Sequence, residues 1–234
     1  MRLPAQVLAL LSVAISNLAW GAAVNKVFNP VVEYGEMEVE LRGFFTQDAD
    51  PAKDGLQVNK LDLAYGATQW WFTEMEFVFE RPPGGDHELE AIASENVFQI
   101  SEQGEYFADF GLFAEYERVI GAKVHEVVLG PIVQKQFGPW LATANLFFEQ
   151  QFGSEKTEAG IEMKSSLQLK YRLGESFEPG LEYYAYENDQ NAGPAAFGLV
   201  RMGKNKLKWQ AAWLFGLTDI SADNSIRWML EYEF

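Results

Sequence analysis

Hydrophobic and polar residues alternate along most of this chain. Between residues 160 and 172, for example, Ile161 and Met163 fall on one face of an extended chain, and Glu162 and Lys164 fall on the other. Successive side chains of a β-strand point to opposite sides, so this period of two predicts a strand with one apolar and one polar face. The same pattern recurs from residue 32 to the last residue.

Turn signals divide the alternating runs into about twelve predicted strands. Short breaks at 66–69, 102–106, 137–139, 172–177 and 203–206 separate some of them, and mostly longer polar breaks at 47–55, 81–90, 153–160 and 187–194 separate others. The predicted strands lie near 32–46, 57–66, 69–81, 91–101, 107–118, 123–136, 139–152, 160–172, 177–187, 195–203, 206–217 and 225–234.

The first 23 residues have a different character. Met1 and Arg2 precede an apolar run, LPAQVLALLSVAISNLAWGAA, with small residues near its end, as in a cleaved secretory signal peptide. A single transmembrane helix is the alternative, but polar residues interrupt the run and it is short for a bilayer span. We therefore expect residues 1–23 to be a cleaved signal peptide and residues 24–234 to form one domain.

Two β architectures could give the alternation in that domain. A soluble sandwich or barrel also alternates. However, the export signal, the aromatic residues near strand ends and the continuous polar faces favour a membrane barrel, whose lumen is polar and whose outer face is apolar. We predict an all-β fold: a single transmembrane, antiparallel, up-and-down β-barrel of about twelve strands. In lipid the last strand must pair with the first, because every backbone polar group needs a partner.

The C-terminal stretch IRWMLEYEF resembles the last strand of Gram-negative outer-membrane barrels, which ends in Phe with aromatic or apolar residues at alternate positions. Here these positions are Trp228, Leu230, Tyr232 and Phe234. The resemblance implies an outer-membrane location and recognition of this strand by the barrel-assembly machinery. LAYGATQWWFTEMEFVF and SEQGEYFADFGLFAEYER resemble, more loosely, hairpins of porin-like transporters of the phenol meta-pathway type, and this likeness transfers no site residue.

The charge composition of the chain limits the kinds of molecule that the protein is expected to bind. With 34 acidic and 18 basic residues the formal net charge is -16, which disfavours nucleic acid as a partner because both molecules are negatively charged. The expected partners are outer-membrane lipid and lipopolysaccharide, the assembly machinery and a small solute. The chain has no cysteine, and we find no metal-ligand spacing, phosphate-binding glycine loop or nucleophile elbow, so we expect no cofactor.

The polar face supplies the candidate site. If the apolar face contacts lipid, acidic side chains from the first seven strands and mostly basic ones from the last five line the lumen, where charged walls sort ions. The candidate lumen residues are Glu36, Glu38, Glu40, Arg42, Glu74, Glu76, Glu80, Asp109, Glu115, Glu117, Glu149, Glu162, Lys164, Lys170, Arg172, Lys208 and Arg227.

These residues allow two functions. The charges could line a passive channel for small polar or cationic solutes, which is the function we predict, or they could pair across the lumen and fill a structural or adaptor barrel. Residues 22–31 could form a free periplasmic segment or an inward plug, and the sequence leaves both possibilities open. An enzyme is a third, less favoured alternative, because His87 and His125 are the only histidines and neither has a suitable partner in the sequence.

Overall fold

A computed structural model describes residues 24–234, which form a closed antiparallel barrel of twelve strands. The predicted signal peptide, residues 1–23, lies outside the described residues. The strands are β1 (Met37–Gln47), β2 (Gln57–Gly66), β3 (Trp71–Arg81), β4 (Glu88–Gln99), β5 (Asp109–Val119), β6 (His125–Phe137), β7 (Trp140–Phe152), β8 (Ile161–Tyr171), β9 (Glu178–Tyr186), β10 (Asp189–Met202), β11 (Asn205–Gly216) and β12 (Asn224–Glu233).

Each strand pairs with its neighbours in sequence, and β12 pairs with β1 to close the barrel. The predicted fold class is therefore confirmed. We call the end that carries Met37 and Glu233 the terminal end. The opposite end, called the loop end, carries the connections 48–56, 82–87, 120–124, 153–160, 187–188 and 217–223.

The alternation of apolar and polar residues predicted from the sequence corresponds to the outer and inner faces of the barrel wall. On β3, Met75 is exposed on the outer surface, whereas Glu74 and Glu76 on the inner face are buried. Large apolar side chains such as Leu63 and Phe148 also lie exposed on the outer surface. The barrel thus places its apolar side chains outward and its charges inward. No helix in the described part of the chain is long and apolar enough to cross a bilayer.

The first strand begins later than predicted. Residues 32–36 were expected to be strand, but β1 starts at Met37, because a turn at Gly35 reverses the chain. Gly35 has a φ of 81°, a conformation that glycine adopts without steric cost, and the Glu36 N–H donates to the Glu33 carbonyl at 3.3 Å. The chain before this turn runs into the lumen.

The predicted loop at 187–194 is wrong. Only residues 187 and 188 connect β9 to β10, and Asp189 to Pro194 belong to the strand. Asp, Asn, Gly and Pro are turn formers in general, but here Asp189 and Asn191 are buried in the lumen, where the Asn191 amide donates to the Asp189 carboxylate at 2.8 Å. Burial of polar groups in a polar lumen overrides their local preference for turns.

The chain's last residue lies one position beyond β12 and remains bonded to the sheet. The Phe234 N–H donates to the Met37 carbonyl at 3.0 Å, so the closing ladder extends to the end of the chain. Across this closing pair Glu38 faces Glu233 and Glu40 faces Glu231. Like charges directly opposite each other destabilise a strand pair, so this closure depends on neighbouring cations.

Gly130 lies where β6 approaches β7 too closely for a side chain. A Cβ at this position would lie 2.0 Å from the Leu146 carbonyl oxygen, which is backbone and cannot move without disturbing the ladder. We predict that Gly130→Val lowers the temperature at which the refolded barrel loses its compact form on heat-modifiability gels. Gly160→Val is the matched control, since nothing lies within 4 Å of a Cβ there. Equal melting of both variants would contradict this account.

Candidate functional site: the filled lumen

Residues 24–32, called the luminal segment, lie inside the barrel. Val24, Val27, Phe28 and Val32 are all buried, and the segment runs from the turn at the terminal end into the lumen. The structure thus places the described part of 22–31 as an inward plug and not as a free segment.

Two wall amides hold the luminal segment through its backbone. The Asn145 side chain accepts a hydrogen bond from the Phe28 N–H at 2.9 Å and donates to the Phe28 carbonyl at 2.8 Å. Gln99 accepts a hydrogen bond from the Val32 N–H at 2.8 Å. A segment inside a barrel has no strand partner, so these side chains satisfy backbone groups that would otherwise be buried without hydrogen bonds.

Lys26 brings a positive charge into an acidic part of the lumen. Its Nζ lies 2.8 Å from Glu74 Oε1 and 3.1 Å from Glu40 Oε2. Both carboxylates are buried, and a buried charge without a counter-ion is costly. The luminal segment therefore contributes to the charge balance of the wall as well as to filling the lumen.

A single arginine joins four carboxylates beside Lys26. Arg42 Nη1 lies 2.6 Å from Glu40 and 2.8 Å from Asp62, and Nη2 lies 3.0 Å from Glu95 and also contacts Glu76. All four carboxylates are 0% exposed. We call these five residues the Arg42 network. Lys60 adds a further positive charge at 2.9 Å from Glu76.

A second arginine binds the luminal segment at Asn25, one residue before Lys26. The Arg227 Nε–H donates to the Asn25 carbonyl at 2.6 Å, while Nη1 lies 3.3 Å from Glu182 and Nη2 donates to Gln210 at 3.1 Å. Arg227 lies on β12 and Glu182 on β9, three strands away around the barrel, so this ion pair spans part of the lumen. The segment is thus held by Arg227 of β12 on one side and by Asn145 of β7 on another.

Phe28 packs into an aromatic cluster that narrows the lumen further. Its ring lies 4.3 Å from Phe113, and Phe113 stacks on Phe147 at 4.5 Å between ring centroids. Ile132, which is 0% exposed, and Val128 belong to the same buried cluster. The interior therefore combines a charged region around Arg42 with an apolar region around Phe28.

A cavity of about 200 Å³ lies above the luminal segment towards the loop end. Val24, Asn25, Lys26 and Phe28 line it, together with carboxylates of the wall and of a loop. The lining carboxylates are Glu80, Glu90, Glu115, Glu117, Glu126, Glu149 and Glu158, and the lining lysines are Lys26, Lys60 and Lys164. Each of these lysines already pairs with a carboxylate: Lys26 with Glu74, Lys60 with Glu76 and Lys164 with Glu149.

The remaining carboxylates of the cavity give it acidic character. Within residues 24–234, Glu80, Glu115 and Glu117 are among the cavity carboxylates that have no lysine or arginine within ion-pair distance. A partly enclosed, acid-lined space raises the local concentration of cations. The cavity is therefore suited to a small cation and unsuited to an anion.

The predicted lumen residues occupy several places. Glu80, Glu115, Glu117, Glu149 and Lys164 line the cavity, while Glu40, Arg42, Glu74, Glu76 and Arg227 surround the luminal segment. Glu36, Glu38 and Lys208 lie together at the terminal end of the closing strands. Glu162 accepts a hydrogen bond from Tyr186, and Lys170 Nζ lies 4.2 Å from the Phe197 ring centroid.

Two predicted lumen residues lie apart from these groups. Arg172 lies one residue beyond β8 in an exposed turn, with its Nε 3.9 Å from Glu178. Asp109 begins β5 at the terminal end, where it accepts a hydrogen bond from the Gly104 N–H at 2.6 Å. The C-terminal residues Trp228, Leu230 and Tyr232 lie on the outer phase of β12, opposite in phase to the buried Arg227, Met229 and Glu231.

Several functional residues were missed by sequence reasoning. Lys60 and Asp62 alternate with leucines in NKLDL, so the period of two would have placed them in the lumen. Glu95 likewise lies in a recognised strand whose faces were not assigned. No local pattern marks Lys26, because its position depends on the path of an irregular segment through the barrel.

Both histidines lie away from the acidic cavity. His125 Nδ1 contacts the Tyr116 hydroxyl at 2.8 Å, and this contact is exposed. His87 lies exposed in the loop before β4. The two residues lie outside the cavity lining, so the geometry gives no support to the enzyme alternative.

The carboxylates at the terminal end crowd together. Glu36, which lies outside the strands, contacts Glu233 of β12, and burial together with this contact raises the pKa of Glu36 to about 8. The positive charge of Lys208, whose Nζ lies 3.8 Å from Glu36, offsets part of this rise in the Glu36 pKa. A carboxyl with such a pKa is largely protonated at neutral pH.

No protein-family model and no curated protein matches the chain. Among solved structures, an outer membrane channel from Pseudomonas putida F1 has a TM-score of 0.56 at 13% identity, covering 90% of this chain and 98% of that chain. A BenF-like porin from Pseudomonas fluorescens Pf-5 has a TM-score of 0.31 at 10% identity, covering 87% of this chain and 99% of that chain. The first likeness shows a shared fold, and the second is too low to carry an argument.

Fold and site together define a class of protein. It is a closed twelve-stranded barrel whose lumen is filled by its own N-terminal segment and by buried ion pairs, with an acidic cavity above them. The P. putida channel is a solved example of the same fold.

The Arg42 network predicts a large loss of stability when its cation is removed. Arg42→Met would leave buried carboxylates without their principal counter-ion, and we expect the free energy of unfolding to fall by about 3–5 kcal/mol. Urea titration of the detergent-refolded protein, followed by tryptophan fluorescence, measures the loss. Arg201→Met, which removes an exposed pair with Glu175, is the control and should change nothing measurable. Equal midpoints for Arg42→Met and the native protein would disprove the role assigned to Arg42.

Proposed function

We propose that this protein is an outer-membrane channel for small polar or cationic solutes and that its luminal segment closes the pore. The observation that carries the proposal is the acid-lined cavity that ends on the luminal segment. The solved structure with the same fold is described as an outer membrane channel, which supports the channel part of the proposal.

The outer surface supports insertion in a membrane. Large apolar side chains lie exposed around the wall, for example Leu63, Met75 and Leu181, and a closed barrel leaves no unpaired strand edge in lipid. We propose that lipid and lipopolysaccharide contact this surface and that the barrel-assembly machinery recognises the strand ending in Phe234.

Export fits the same proposal. Cleavage after residue 23 would make Val24 the amino terminus, and Val24 lines the cavity. The new ammonium group would then add a positive charge at the floor of an acidic space. Processing would in this way complete the closed state of the lumen.

Opening requires movement of the luminal segment. Its polar contacts with the wall are few: two amides, Lys26 and the Arg227 contact at Asn25. None of these contacts is part of the strand ladder, so the ladder can persist when the segment leaves, while water entering the lumen solvates Glu40 and Glu74 in place of Lys26. The barrel wall would then stay closed to lipid while the lumen opens.

Deletion of residues 24–32 should open the pore. We expect the native protein to show rare or small conductance steps in planar bilayers and the deletion variant to show stable, larger ones, since the luminal segment no longer blocks the path. A heat-modifiability gel confirms that both barrels have formed. The deletion joins the predicted export signal directly to Glu33.

The conductance of the deletion variant distinguishes a channel gated by the luminal segment from a structural or adaptor barrel. Larger steps in the deletion variant support the gate. A folded deletion variant as silent as the native protein would contradict it and would favour the alternative, a structural or adaptor barrel. The observation that favours this alternative is the Arg42 network, which fills part of the lumen without the segment.

The cavity carboxylates should set ion preference. In the deletion background, Glu115→Gln, Glu117→Gln and Glu126→Gln together remove three negative charges from the cavity wall. We expect the reversal potential in a salt gradient to move from a cation-selective value towards zero. The matched control is Glu102→Gln with Glu105→Gln in the exposed turn at the terminal end. An unchanged reversal potential would remove the cavity carboxylates from the selectivity mechanism.

A further inference from the structure

The barrel wall binds the luminal segment through main-chain groups that every peptide carries. The Arg227 Nε–H donates to the Asn25 carbonyl at 2.6 Å. Asn145 accepts from the Phe28 N–H at 2.9 Å and donates to the carbonyl of the same residue at 2.8 Å. Main-chain amides are the same in all peptides, so this part of the recognition does not depend on the sequence of the segment.

The wall holds the Asn145 amide in place for this role. The Ser166 hydroxyl donates to Asn145 Oδ1 at 3.1 Å, and the two side chains are buried on the neighbouring strands β7 and β8. A residue in an antiparallel sheet exchanges both its N–H and its carbonyl bond with the residue opposite. Asn145 offers the same pair of bonds to Phe28 from a side chain, and therefore acts as a fixed receptor for one residue of a peptide main chain.

Two side chains of the luminal segment occupy wall sites that are selective. Lys26 Nζ lies 2.8 Å from Glu74 and 3.1 Å from Glu40. The Phe28 ring lies 4.3 Å from the Phe113 ring between centroids. Lys26 Nζ is also 5.0 Å from the centroid of the Phe28 ring, so the cation and the ring lie side by side. The wall is thus complementary to a lysine that precedes an aromatic residue by two positions.

The acidic cavity leads to this arrangement. Lys26 and Phe28 line the cavity, and so do Phe113 and Phe147 of the wall. A solute that enters the cavity therefore reaches the aromatic cluster and the lysine position directly. The acidic lining attracts a cationic solute towards them.

A simple cation matches less of the site than a peptide does. An inorganic ion in place of the Lys26 ammonium would satisfy Glu40 and Glu74. It would leave the Asn145 amide without main-chain partners and the space of the Phe28 ring unfilled, and both a buried polar group without a partner and an apolar cavity cost free energy. A peptide with a lysine and an aromatic residue makes all three kinds of contact at once.

We propose that the wall around the luminal segment is a binding site for short peptides in which a lysine precedes an aromatic residue by two positions. The luminal segment occupies this site as an internal mimic of such a peptide. An incoming peptide displaces the segment by taking over its partners Asn145, Glu74 and Phe113. The binding site rests on the contacts above, whereas the assignment of these peptides as transported solutes rests also on the proposed channel function.

Calorimetric titration with a blocked peptide tests the proposal. The probe is acetyl-Asn-Lys-Val-Phe-Asn-amide, which repeats residues 25–29 without charged ends. The protein is a full-length variant, called the linker variant, in which glycine and serine replace residues 24–32. Its own segment then no longer competes at the high effective concentration of a tethered ligand. We expect one saturable site and a higher heat-modifiability temperature with the peptide, since a ligand that binds only the folded state stabilises it.

Changes in the peptide and in the wall test the selectivity of the site. Lys26→Glu or Phe28→Ala in the peptide, or Asn145→Leu in the linker variant, should each weaken binding at least about tenfold, because each removes one of the three kinds of contact. Arg201→Met in the linker variant is the matched control. It removes an exposed pair with Glu175 and should leave peptide binding unchanged.

Three results would each overturn the proposal: no saturable binding by the folded linker variant, equal binding of the Lys26→Glu peptide, or equal binding after Asn145→Leu. If the linker variant does not fold, full-length Phe28→Ala replaces it, because this change keeps the Lys26 charge and empties only the aromatic site. Planar-bilayer conductance tests the channel separately. Peptide binding by a barrel that never conducts would support the binding site and contradict the channel, whereas conductance without peptide binding would overturn this proposal alone.

Discussion

Charge balance inside the barrel is the constraint on which the rest of this structure depends. The inner wall buries Glu40, Asp62, Glu76 and Glu95 without solvent exposure, and each needs a positive partner. Arg42 contacts all four, and Lys26 adds a charge that the wall itself does not supply. The path of the luminal segment follows from this need: the segment carries a cation to a place where the strands have an excess of carboxylates.

The width of the barrel explains why the segment is needed for packing as well. Eight strands enclose a space that wall side chains can fill, and twelve enclose a wider one. Phe28 occupies part of this width by packing on Phe113, which stacks on Phe147. The interior therefore has two levels. At the level of the luminal segment, internal ion pairs with Lys26 and Arg42 oppose the wall carboxylates, and the acidic cavity above it is open to a cation from solution.

Most of the wall could be predicted from sequence, because alternation directly encodes which face of a strand is buried. The twelve strands, their antiparallel order and the inward phase of Glu74, Glu76 and Glu115 follow from it. The exceptions have physical causes. Asp189 to Pro194 are turn formers that the polar lumen accommodates within β10, and the luminal segment has no period because its contacts are with the wall around it and not with a partner strand.

The reactivity of single cysteines introduced into the luminal segment tests most directly whether this segment occupies the lumen. The experiment is feasible because the chain has no cysteine of its own. Val27 is buried and Asn29, two residues away, is exposed. In the folded barrel, Val27→Cys should react with a maleimide at least about ten times more slowly than in urea, whereas Asn29→Cys should react readily in both states. Rapid labelling of Val27→Cys in the folded barrel would show that the segment does not occupy the lumen, and the account would fail.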